Sequence, residues 1–307
     1  MNLDRSEAFN HICIAGLGGV GGYFGGMIAL NITGNFRDKI NVTFIARGAH
    51  LDAIKKNGLT VKPWGTESIN CIPNVVTDKV TDLPYINLLI LAVKGYDIEP
   101  MMESLKEKIT EDTVIIPLLN GVGNEEKIRK VTPRGIILPT CVYISSKIEE
   151  PGVVALMGDI SRIISGPDPD NPDYDRDEIT AFFRNMGIKF IWDENPQVPI
   201  WKKFMFIAPA ALITAANSVT INAISSDQAL KQDFYDIMSE IRKIAEKKNI
   251  ILPDDAEESS FKIAQNIDRE AKTSFQLDIE RGKKKIEIDT FGYSIVRMGK
   301  ETGVGTS

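Results

Sequence analysis

The chain has 307 residues, 43% hydrophobic and 25% charged, with 36 Lys and Arg against 42 Asp and Glu for a net charge of −6. That length favours two domains with ample cores, and the acidic balance argues against nucleic acid or an anionic membrane surface as partner. The only two histidines are His11 and His50, which excludes a His-rich metal site and a histidine base from a late domain, so no metal is expected. The three cysteines, Cys13, Cys71 and Cys141, are widely spaced and fit a reduced, cytoplasmic setting. The opening MNLDRSEAFN lacks the pattern of a signal peptide.

In chain order, the first half alternates apolar strands with helical segments. His11–Ala15, Asn41–Arg47, Tyr85–Lys94, Thr113–Asn120 and Gly135–Tyr143 are short runs rich in Val, Ile and Leu. Such continuous apolar strands predict a mostly parallel sheet with helices on both faces. Gly152–Gly158 and Ser161–Gly166 read as two close strands forming an antiparallel extension. The Pro- and Asp-rich stretch Pro167–Glu178 reads as a surface loop, followed by a helix ending near Met186 and a strand at Ile188–Trp192. Beyond residue 195 helical periodicity dominates, with candidates at Ile200–Asn217, Asp227–Lys248, Pro253–Ile267 and Glu287–Thr302. The expected organisation is α/β: a Rossmann domain over 1–195, then an all-α domain over 196–307. Phe204–Ile213 within the first late helix is apolar on all sides, which predicts a buried helix rather than a bilayer span.

Gly16-Leu17-Gly18-Gly19-Val20-Gly21 matches G-x-G-x-x-G directly after the first strand, the context in which that pattern binds a dinucleotide. The first glycine permits the tight turn, the second lets backbone amides approach a pyrophosphate, and the third allows close packing of helix on strand. The helix N-terminus then offers unpaired N–H donors to the anion. A site for NAD wants Asp or Glu at the end of the second strand. Here that strand runs out at Ala46-Arg47-Gly48, and a guanidinium there suits a ribose 2′-phosphate. NADP(H) is therefore the expected cofactor. The loop around Gly34–Lys39 lengthens the spacing between the glycines and Arg47.

Two later clusters stay open on pattern alone. Trp201-Lys202-Lys203 opens the apolar helix, where a lysine either projects an ammonium into an interdomain cleft or is solvated at a helix end. Thr273-Ser274-Phe275-Gln276-Leu277-Asp278 followed by Glu287-Ile288-Asp289 reads equally as a capped surface helix. Pro209 within the apolar helix removes one backbone hydrogen bond and predicts a kink.

These landmarks, with Leu91–Asp97, Leu118–Glu126, Pro151–Val154 and Glu287–Val304, resemble in order and spacing the ketopantoate reductase (2-dehydropantoate 2-reductase) family, within the 6-phosphogluconate-dehydrogenase-like reductases. The resemblance implies NADPH-dependent reduction of 2-dehydropantoate to (R)-pantoate in pantothenate and coenzyme A synthesis, in a cleft between the two domains. It makes Lys203 the catalytic lysine and Glu287 the carboxylate that orients substrate. It assigns Asn120 to nicotinamide and substrate, Ser274 to the substrate carboxylate, Lys94 to the cofactor cleft, and Gly16–Gly21 with Arg47 to the dinucleotide. A small 2-oxo acid is the expected partner, and a homodimer is the working expectation. Where the family carries asparagines four and eight residues after the lysine, this chain has Ile207 and Ala211. There is also one extra residue between Ser274 and Glu287, and the chain stops at Gly303–Ser307 where the family continues. The same chemistry on a different oxo acid, and a non-catalytic dinucleotide-binding protein, remain as alternatives.

Overall fold

The computed structural model describes residues 9–32 and 39–306. Of the insertion at Gly34–Lys39, only Lys39 lies within them. The chain divides into two compact units, one running to Leu119 and resuming over Gly123–Pro196, the other made of Gln197 onward together with Asn120–Val122.

The first unit opens with β1 (His11–Ala15), α1 (Gly19–Asn31), β2 (Asn41–Ile45) and α2 (Gly48–Asn57). Three short strands follow: β3 (Leu59–Lys62), β4 (Ile69–Cys71) and β5 (Val75–Thr77). Then come β6 (Ile86–Leu91), a 3-10 turn at Gly95–Asp97, α3 (Ile98–Leu105), β7 (Ile109–Pro117) and α4 (Asn124–Val131). The unit closes with β8 (Ile136–Ile137), β9 (Thr140–Glu150), β10 (Val153–Ser165), α5 (Arg176–Asn185) and β11 (Phe190–Trp192). Strands β5-β2-β1-β6-β7-β8 form one sheet, and every pairing in it is parallel. Alternate residues of β1 serve opposite faces. Ile12 and Ile14 join Phe24 of α1 and Phe182 of α5 in one core. Cys13 and Ala15 join Ile98, Met102 and Leu105 of α3 in the other. Burial on both sides is why these strands lack an apolar–polar alternation. The expected doubly covered parallel sheet is borne out.

The second sheet departs from expectation. Its order is β11-β10-β3-β4, with β9 also pairing with β10. The run Gly135–Tyr143 is two strands rather than one, broken at Pro139, which has no N–H for a ladder; β8 stays in the parallel sheet and β9 joins the second. Gly152–Gly158 and Ser161–Gly166 are a single strand, β10, antiparallel to β9 with a register shift between Leu156 and Ser161. A bulge lets one strand continue where its pattern breaks. Strands β3, β4 and β5, of three or four residues each, are too short to show a period.

The second unit is helical: α6 (Gln197–Asn217), α7 (Ala223–Ser226), α8 (Gln228–Lys247), α9 (Ala256–Asn266), α10 (Ser274–Glu280), a π-turn at Asp289–Tyr293 and α11 (Ser294–Thr302). The segment expected as one helix over Glu287–Thr302 thus begins as a wide turn. α6 is long and apolar enough to cross a membrane by length and composition, but it is the central core helix of this unit. It packs against α8, α9, α10 and the π-turn and buries Trp201, Phe204, Met205 and Ala208.

Candidate functional site

In the first unit the glycine turn joins β1 to α1. Gly16 has φ +98°, and a Cβ there would lie 2.7 Å from the Ala92 carbonyl oxygen, so only glycine makes this turn. At Gly21 a Cβ would lie 2.0 Å from the Gly16 carbonyl oxygen and 2.9 Å from the Ala92 side chain, which fixes helix against strand. Gly18 differs, because nothing lies within 4 Å of its absent Cβ. It is the N-cap of α1, with no side-chain cap and no acid in the first turn. A helix start leaves its first N–H groups without intrahelical partners, and the open space beside Gly18 suits the approach of a dinucleotide pyrophosphate. Gly19 carries a constraint that the motif alone does not reveal: a Cβ there would lie 2.5 Å from the Ser146 carbonyl oxygen of β9. Leu17 is buried and Val20 half-buried.

A cavity of about 190 Å³ adjoins this turn, lined among others by Gly16, Gly18, Ala46, Arg47, His50 and Met101. Arg47 lies beyond the end of β2, as the N-cap residue of α2. Its Nη2 is 3.6 Å from Oδ2 of Asp97, with the two side chains 67% and 25% exposed. Asp97 ends the 3-10 turn that Lys94 caps, and its N–H donates to the Lys94 carbonyl at 2.8 Å. Sequence reasoning gave Asp97 no role, although it closes the Leu91–Asp97 landmark. It also left His50 without a role. The His50 Nδ1 accepts the Gly152 N–H at 2.9 Å, which places the imidazole proton on Nε2, and burial holds its pKa below the usual histidine value.

In the second unit Lys203, nearly two turns into α6, donates from Nζ to Oδ1 of Asn120 at 2.7 Å. These residues are brought together although 83 positions separate them. The next residue, Gly121, has φ +92°, and a Cβ there would lie 2.7 Å from Cγ2 of Thr290. Asn120 is thereby seated between α6 and the π-turn. Glu287, 6% exposed, stands at the head of that turn, its carbonyl accepting the N–H groups of Thr290 and Phe291 at 3.1 and 3.2 Å. Lys203, Asn120 and the Glu287 turn thus converge. Ser274 is the exposed first residue of α10. It is fixed through its neighbour Thr273, whose Oγ1 accepts the Gln276 N–H at 3.2 Å and meets Oγ1 of Thr214 on α6, also at 3.2 Å. Thr214 lies about three helical turns beyond Lys203, on the same face. Ile207 and Ala211 lie between them, so the strip joining the lysine to the α10 cap is apolar. Among the described residues no cluster of His, Cys, Asp and Glu could hold a metal ion.

The family model for ketopantoate reductase PanE/ApbA matches residues 12–169, and the model for its C-terminal part matches residues 197–307. The chain belongs to the ketopantoate reductase family. It is 30% identical to the 2-dehydropantoate 2-reductase of Pyrococcus horikoshii, over 94% of this chain and 90% of that one. The crystal structure of 2-dehydropantoate 2-reductase from Porphyromonas gingivalis superposes with a TM-score of 0.80 at 27% identity, covering 96% and 94% of the two chains. A D-mandelate dehydrogenase solved with NADH and anilino(oxo)acetate shares the fold, with a TM-score of 0.82 at 24% identity over 96% and 94% of the chains. Ketopantoate reductases are dinucleotide-binding oxidoreductases, and the glycine cradle of the first unit agrees with that membership.

Proposed function

We propose that the chain is an NADPH-dependent reductase that converts 2-dehydropantoate to (R)-pantoate, a step toward pantothenate and coenzyme A. The observation that carries this reading is the Lys203 ammonium held at 2.7 Å by Asn120. NADPH, when bound, supplies a hydride to the ketone carbon. The oxygen left behind needs a proton and a nearby positive charge. A lysine ammonium supplies both at neutral pH, as proton donor and as electrostatic partner of the developing oxyanion. Asn120 offers Nζ a fixed acceptor and so sets where the ammonium points. Glu287 is assigned to orienting the substrate and Ser274 to its carboxylate. Gly16–Gly21, Arg47 and Lys94 are assigned to the dinucleotide, with Asn120 also serving its nicotinamide end.

A second reading rests on Ile207 and Ala211. An apolar strip beside the lysine cannot bond a substrate hydroxyl, and a missing partner for such a group costs orders of magnitude in specificity. It favours a less polar 2-oxo acid, reduced by the same chemistry.

NADPH consumption followed with 2-dehydropantoate and a panel of 2-oxo acids tests both readings. Lys203→Ala is expected to lower kcat at least about a hundredfold with dinucleotide affinity unchanged. Unchanged kcat removes Lys203 from the chemistry. Dinucleotide binding without turnover of any oxo acid overturns the enzymatic reading in favour of a binding protein.

A further inference from the structure

We infer that Asp97 is a specificity-determining residue that opposes Arg47, holding the preference for NADPH over NADH to a modest ratio. The inference rests on the proposed role of Arg47 in cofactor binding and deepens it. Arg47 is the cationic side chain lining the cavity beside the glycine turn, and its guanidinium is the group suited to a 2′-phosphate. The Asp97 carboxylate stands 3.6 Å from that guanidinium. Their backbones are held by separate elements of the Rossmann sheet, Arg47 by the β2–α2 junction and Asp97 by the 3-10 turn after β6, so the pairing follows from the fold rather than from neighbouring positions in the chain.

The two cofactors respond to this pair oppositely. A 2′-phosphate brings close to two negative charges, which Arg47 attracts and Asp97 repels. It must also compete with the carboxylate for the same guanidinium. An unphosphorylated ribose brings a hydroxyl that donates to a carboxylate, the pairing that an acidic residue at the end of the second strand makes in NAD sites; here Asp97 offers a carboxylate from the turn after β6 instead. One residue of each sign therefore makes a compromise site. The arginine keeps NADPH bound, and the aspartate lowers its advantage and keeps NADH admissible.

Dissociation constants for NADPH and NADH, measured by fluorescence titration on the full chain, test this without any oxo acid, with 2′,5′-ADP and 5′-AMP titrated calorimetrically as a second pair. Asp97→Asn is expected to raise the ratio of the NADH to the NADPH constant about tenfold, chiefly by tightening NADPH. Asp97→Ser is expected to move it in the same direction, and Arg47→Ala to lower it. A ratio that is unchanged or lower in both Asp97 variants overturns the inference and leaves Asp97 as a mere brace for Arg47. Failure of every dinucleotide to bind the unsubstituted chain overturns the proposed cofactor itself. Binding with no oxo acid reduced touches the proposed reaction alone.

Discussion

Gly18 and Gly21 occupy the same motif for opposite physical reasons, and single methyl groups separate them. A Cβ at Gly21 meets backbone carbonyl oxygen at 2.0 Å, an overlap that only a shift of β1 against α1 relieves. Gly21→Ala is therefore expected to cost at least about 2–3 kcal/mol of stability, read as a lower midpoint in denaturant unfolding. A Cβ at Gly18 meets no protein atom within 4 Å, and its φ of −69° suits any residue. Gly18→Ala is expected to unfold at nearly the same denaturant concentration while binding NADPH at least about tenfold more weakly, because the methyl occupies space that the phosphates approach. The glycine spacing in the sequence separates the motif from an ordinary loop. It does not show Ser146 pressed against Gly19, because that neighbour arrives from a strand far along the chain.

At the scale of elements, α6 organises the second unit. Its buried side was legible from ten consecutive apolar residues, Phe204–Ile213. The face that carries Lys203 was not legible from pattern, since Lys203 looks like any basic residue near a helix end until Asn120 is seen to accept from it. The face beyond the lysine carries Ile207, half-buried. Ile207→Asn restores a polar group one turn from Lys203. It is expected to raise kcat/KM for a hydroxyl-bearing 2-oxo acid relative to a purely apolar one by about tenfold or more, checked by steady-state assays on the pair. No change in that ratio would detach Ile207 from substrate recognition. The second sheet was poorly legible because its strands are either too short for a period, as in β3 and β4, or interrupted in pattern, as in β10. The parallel sheet was legible because strands buried on both faces are apolar throughout, which is a composition signal rather than a periodic one.

For the molecule as a whole, the histidine part of the response to acid lies in the first unit, which holds both histidines. His11 is 4% exposed. Its Nδ1 donates to the Tyr85 carbonyl at 3.0 Å and its Nε2 accepts from Thr43 at 3.0 Å. Burial lowers the pKa of both His11 and His50 from the usual 6.5. The unfolded chain therefore binds protons that the folded chain refuses as pH falls below about 6.5, so stability is complete above that value and declines beneath it. Melting temperatures between pH 8 and 5 are expected to fall on the acid side, with a shallower decline for His11→Asn. Equal slopes would assign the loss to carboxylates instead. In the sequence the change from strands to helices falls near residue 195, and the helical unit takes up the chain from Gln197. The three-residue excursion Asn120–Val122 into the helical unit was not legible, because nothing local marks a loop that packs with a later segment. The position of α6 in the chain also has a consequence during synthesis. Translation delivers this apolar cylinder before α8, α9 and α10, the helices that cover it. Until the ribosome has passed Glu280, the nascent helix lacks part of its permanent cover, and the growing polypeptide offers chaperones an adhesive surface that the finished fold conceals.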